Sequence, residues 1–88
     1  MELKRVVVTG LGAVTPLGNN VDDTWESLVA GKSGAGPITH FDASSFKTQF
    51  GCLVKNLNIT DYIDRKEARK IDLYAQFALV AAQQAIED

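Results

Sequence analysis

Cys52, His40 and Asp42 are the residues whose types could take part in nucleophilic chemistry. A reactive cysteine needs its thiolate favoured by a cation, a helix amino end or a paired histidine. Cys52 lies instead in an apolar, strand-like pattern between Gly51 and Leu53, and the sole histidine, His40, falls in a separate loop. The expected role of Cys52 is therefore that of a small buried hydrophobe. His40 and Asp42, separated by Phe41, supply two members of a triad. No serine on a nucleophile elbow accompanies them, and Ser44 and Ser45 read as loop residues. No catalytic residue is assigned to the chain.

Gly10-Leu11-Gly12 follows a valine run, which invites a dinucleotide-binding reading. That fingerprint needs a third glycine at position 15, so that the next helix presents its amino end to a pyrophosphate. Thr15 stands there, followed by Pro16, and the short-chain dehydrogenase spacing meets Val14 and Pro16 instead of glycines. No acidic residue closes a second strand at the required distance. The glycines are expected to serve a tight structural turn, with no cofactor bound. Metal-ligand spacing around Cys52 is also missing, so no metal is expected.

Arg65, Lys66, Arg69 and Lys70 form the remaining constellation. At 100° per residue they project within an arc of roughly 140° on a helix. The grouping opposes local preferences, because cations near a helix amino end meet the wrong end of the dipole and the pairs 65/69 and 66/70 repel. Asp64 and Glu67 offset part of that cost. A solvated face is one reading. The other is an electrostatic platform for an acidic partner or a phosphate.

The elements that must position these groups are short. Lys4 to Thr9 is predicted as a β-strand, its β-branched run suiting a central strand buried on both faces. Gly10 to Asn20 is turn-rich, and Pro16 forbids a helix through it. Asp23 and Glu26 have capping-box spacing, Val21 is placed as a hydrophobic staple, and Trp25, Leu28 and Val29 share a helix face that ends at Gly31. Lys32 to Pro37 reads as loop. Gln49 to Lys55 reads as a second strand, at an edge or in a hairpin, with Phe50, Cys52 and Val54 on one face. Asp64 and Glu67 give another capping box, and Asp72 is placed to cap a renewed helix after a bend near Lys70. From Ile71 to Ile86 apolar residues occupy nearly every side, as in a helix wrapped by the core of something large.

Composition narrows the class. The 88 residues are 45% hydrophobic and 23% charged, with a formal net charge of −2. That balance disfavours a globally basic nucleic-acid binder. A single cysteine forms no internal disulfide, which favours a reducing compartment. Val6-Val7-Val8 is too short for a signal-peptide core or a membrane span. A cytoplasmic location is expected. Glu87-Asp88 places acids at a helix carboxyl end without a closing glycine, which predicts a segment cut from a larger protein.

Arg5-Val6-Val7-Val8-Thr9-Gly10-Leu11-Gly12, with Thr15-Pro16-Leu17-Gly18, resembles the opening of the β-ketoacyl-acyl-carrier-protein synthases, most of all the elongating synthase II type. Thr24-Trp25, Leu28 to Gly34, Phe41-Asp42 and Asp64 to Asp72 are similar to that family in the same register. The resemblance implies an α/β, thiolase-like fold of layered α-β-α-β-α halves, of which residues 1–88 would be the first part of the amino-terminal half. It implies a decarboxylative Claisen condensation, a homodimer, and acyl carrier protein as partner. The family's nucleophilic cysteine, two histidines and lysine lie beyond this sequence, and neither Cys52 nor His40 matches them. Lys66, Arg69 and Lys70 match the family's carrier-docking positions, and Arg65 matches less well. Two rivals stand beside this reading: a polyketide ketosynthase, and a non-catalytic module that holds an acidic partner.

Overall fold

Asn20 opens the first helix of the computed structural model, which describes residues 3–88. Met1 and Glu2, the start of the expected segment, lie outside the described residues. Helix α1 spans Val21–Val29, and the Asn20 side chain accepts the Asp23 amide at 2.7 Å. The cap thus falls three residues before the expected Asp23, and Val21 is the first helical residue and not a staple. Asn20 wins because its extended backbone frees its side-chain oxygen to reach the third amide of the helix. The Asn20 side-chain amide also donates to the Asp23 carboxylate at 3.1 Å, a side-chain contact beside the cap and not the backbone-to-carboxylate bond of a capping box. Gly31 ends the helix as expected. Its φ of 72° lets its own amide reach the Leu28 carbonyl and the Lys32 amide reach that of Ser27, at 3.1 and 3.0 Å.

The sheet is smaller than predicted and lies elsewhere. Strands β1 (Ala35–Pro37) and β2 (Phe50–Cys52) pair antiparallel, with Ala35 opposite Cys52 and Pro37 opposite Phe50. β1 arises inside the expected loop, and β2 falls in the first half of the expected second strand. Two of the three residues expected on the inner face point outward: Phe50 and Cys52 are exposed, while Gly51 and Val54 are half-buried. Successive residues of a strand alternate between its faces, so with Gly51 turned inward Cys52 is exposed rather than buried.

Lys4 to Thr9 is not a strand within this chain. Its residues enter no ladder, and Val6 and Val8 are 89% and 79% exposed. β-propensity reports packing against neighbours, and no neighbouring strand is offered among the described residues.

Beyond this run, Gly10 and Gly12 lie flush on α3 (Leu73–Glu87), where a Cβ would run into the carbonyls of Ala85 and Ala81. Those alanines are one helical turn apart on the same face. The contact is tied by Leu11 N–H to Asp88 Oδ2 at 3.0 Å and by Ala13 N–H to Gln84 Oε1 at 3.1 Å. Thr15 to Gly18 then folds into a turn whose ends exchange backbone hydrogen bonds, and Thr15 Oγ1 accepts the Leu17 and Gly18 amides.

A 3-10 turn at Ile59–Asp61 leads into α2 (Arg65–Ala68), and α3 follows a bend. Asp64 and Asp72 occupy the expected cap positions, but neither side chain makes a capping hydrogen bond. Along α3 only Val80 is buried, while Tyr74 and Ile86 are largely bare. The buried apolar residues are Ala43, Ala68 and Val80, and the radius of gyration is 16.5 Å. A packed domain of 88 residues would measure about 12 Å. The described residues do not enclose a core of their own.

Candidate basic docking surface

Ala68 anchors the basic group. It is buried, while Arg65, Lys66, Arg69 and Lys70 are all exposed around it. Four residues make α2, so Arg65 and Lys66 are helical, Arg69 is its carboxyl cap and Lys70 follows it. The Lys70 amide bonds to the Glu67 carbonyl at 3.1 Å and the Ile71 amide to that of Ala68 at 3.4 Å, so the chain tightens as it leaves the helix. The expected single helix face becomes one helical turn and its exit.

Gln76 holds this exit in place. Its side-chain amide donates to the Ala68 carbonyl at 2.9 Å and to the Ile71 carbonyl at 3.2 Å. The Ala68 carbonyl, which also accepts the Ile71 amide, ends α2, and the Ile71 carbonyl lies in the bend beyond it. A polar residue near the start of an apolar helix was the available signal for this clamp, which motif reading passed over.

The electrostatics are uneven. Lys70 Nζ lies 3.5 Å from Glu67 Oε1, the sole ion pair among the described residues. Arg65, Lys66 and Arg69 have no such partner there. A second lysine is spent differently: Lys55 Nζ donates to the carbonyls of Pro16, Gly34 and Leu53 at 3.2, 2.9 and 3.0 Å. It ties the Thr15–Gly18 turn to the hairpin and takes no part in the basic group.

The other sequence candidates are not brought together. No hydrogen bond joins His40, Asp42 and Cys52 among the described residues. The Asp42 carboxylate instead accepts the Ser44 amide at 3.0 Å. The Ser44 hydroxyl and amide hold that carboxyl below its ordinary value, slightly opposed by desolvation. Gly10 and Gly12 face α3 and not an open cradle, which accounts for them without a nucleotide. No group of three or more histidine, cysteine, aspartate or glutamate residues suited to a metal occurs among the described residues. No helix there is long and apolar enough to cross a membrane.

Residues 3–88 match the β-ketoacyl synthase N-terminal domain along their whole length. The chain belongs to the β-ketoacyl synthase family. Over all 88 residues it is 53% identical to the 3-oxoacyl-[acyl-carrier-protein] synthase 2 of Synechocystis sp. and 54% identical to that of Coxiella burnetii. Identity to the Vibrio harveyi synthase 2 is 47% over the same span. The chain covers 21% of the length of each of these relatives. It is thus similar to part of these 3-oxoacyl-[acyl-carrier-protein] synthases, within the family that its opening motif implied. As a β-ketoacyl synthase segment it combines helices with a two-stranded sheet. These elements do not form the α-β-α-β-α layering expected for the family.

Proposed function

We propose that this chain is the first part of a 3-oxoacyl-acyl-carrier-protein synthase of fatty-acid elongation, and that it supplies the docking surface for the carrier protein. The observation that carries the docking is a turn of helix and its exit that display three cations without ion-pair partners among the described residues, anchored from beneath by Ala68 and Gln76. Similarity to the named synthases at about half identity across the chain supports the choice of partner.

In the reaction so proposed, an acyl group leaves the carrier thiol for an enzyme cysteine contributed outside these residues. Malonyl carrier protein then loses CO₂, and the resulting carbanion attacks the enzyme thioester. A carbon–carbon bond forms, the thioester carbon–sulfur bond breaks, and the cysteine leaves as its thiolate. Donors elsewhere in the enzyme, two histidines and an oxyanion hole, stabilise the developing negative charge. Arg65, Lys66, Arg69 and Lys70 act earlier, by steering an acidic carrier and fixing its orientation. The segment 1–88 would be an incomplete part of the amino-terminal half of a thiolase-like fold. In it the valine run becomes a paired strand and α3 a wrapped helix. A cytoplasmic homodimer is the proposed setting.

The test is kinetic. In the full-length enzyme, Lys66→Glu with Arg69→Glu should raise KM for carrier-linked substrate and leave turnover of small pantetheine thioesters unchanged. Equal losses with both substrates would remove the docking role. A polyketide ketosynthase shares this chemistry and is separated by its acyl substrates. A non-catalytic binding module would hold the carrier without turnover at full length.

A further inference from the structure

Glu67 lies among the four cations and bears the opposite charge. Its carboxylate is 3.5 Å from Lys70 Nζ, and both side chains are mostly in water, at 64% and 70% exposure. The contact is set by the backbone as well, since the Lys70 amide hydrogen-bonds to the Glu67 carbonyl at 3.1 Å. Arg65, Lys66 and Arg69 have no ion-pair partner among the described residues, whereas Lys70 is already answered. The four cations therefore do not present four equal charges to an incoming anion.

We infer that Glu67 is an internal counter-charge that holds Lys70 in reserve and weakens this surface for an acidic partner, so that docking proceeds by transfer of Lys70 from Glu67 to a partner carboxylate. The inference rests on the docking reading above. An exposed lysine–carboxylate pair is weak and screened, so exchange is accessible at little cost. Until it occurs, Glu67 cancels part of the positive field that draws the partner in, and it repels the partner's own carboxylates at close range. The surface is tuned for release as much as for capture, as a carrier that must leave after each transfer requires.

The experiment measures binding of holo-acyl carrier protein to the full-length enzyme by surface plasmon resonance at low and high salt. Glu67→Gln keeps the size and the exposed position of the side chain. It should tighten binding about two- to fivefold, mostly through a faster on-rate and with a steeper salt dependence. Lys70→Ala should cost little in the parent enzyme and several-fold more in the Glu67→Gln background. Unchanged or weaker binding on Glu67→Gln would overturn the inference, as would an equal cost of Lys70→Ala in both backgrounds. Lys66→Glu with Arg69→Glu separates the two ideas. If that pair weakens binding while Glu67→Gln does nothing, only the role of Glu67 falls. If that pair also leaves binding intact, the docking reading falls with it.

Discussion

Gly12 rests against the carbonyl of Ala81 with no room for a methyl group between them. Gly10 does the same one helical turn further on, at Ala85, so a short backbone segment is laid directly on α3. Gly12→Ala should force the two apart and destabilise the fold by about 1–3 kcal/mol. Thermal unfolding of the full-length enzyme reads this, and a variant with unchanged Tm would mean that the segment moves aside freely.

Gln76→Leu should loosen the bend between α2 and α3. The carbonyls of Ala68 and Ile71 lose the side-chain amide that answers them, at a cost of about 1–3 kcal/mol for part-buried acceptors. Hydrogen exchange at the amides of residues 69–76 should accelerate relative to the rest of α3. KM for carrier-linked substrate should rise as the platform loses its orientation.

Charge reversal at Lys66 and Arg69 should act mainly on association. Raising the salt should shrink the difference between the parent and the Lys66→Glu, Arg69→Glu variant, because exposed charges lose their reach beyond about 10 Å at 0.1 M ionic strength. Stopped-flow association of holo-acyl carrier protein would show this; a salt-independent gap would point to misfolding.

Lys55→Met should free the Thr15–Gly18 turn from the hairpin. Three carbonyls share that ammonium, and in this exposed setting the loss should be about 1–2 kcal/mol. Faster proteolysis between residues 31 and 56, with α3 unaffected, is the expected pattern.

Asp42 should titrate below an ordinary aspartate, and loss of the Ser44 hydroxyl should relieve only part of that shift because the backbone amide still donates to the carboxylate. Its depressed folded-state value means that the Ser44 contact stabilises the fold above the unfolded carboxylate value and is lost as pH falls through the folded one. Ser44→Ala should therefore shift the Asp42 carboxyl upward in an NMR titration while leaving more distant carboxylates alone.

Legibility in the sequence varied with the range of the interaction. The stop at Gly31, the helix starts after Asp64 and Asp72 and the bend near Lys70 were readable because each depends on residues within one or two turns, but the capping hydrogen bonds expected of the two aspartates do not form. The first cap was misplaced by three residues because Asn20 and Asp23 are both good caps, and only the backbone at Asn20 decides between them. Strands failed for a different reason. Lys4 to Thr9 has the composition of a strand but no partner, whereas Ala35–Pro37 has poor composition and a partner at Phe50–Cys52. The basic group itself was visible as spacing, but its internal pairing at Glu67 and its clamp at Gln76 depend on where side chains come to rest.

The bare valine run has a consequence for how this polypeptide survives before it is covered. Val6, Val7 and Val8 offer amides and carbonyls with no hydrogen-bond partner among the described residues, together with apolar side chains in water. Such a stretch templates aggregation unless charge interrupts it. Lys4 and Arg5 stand immediately before it, and stacking one copy in register on another would bring their like charges together. Replacing both with serine would remove that repulsion while leaving the hydrogen bonds described above intact, and the chain should then aggregate more readily while the run is unpaired.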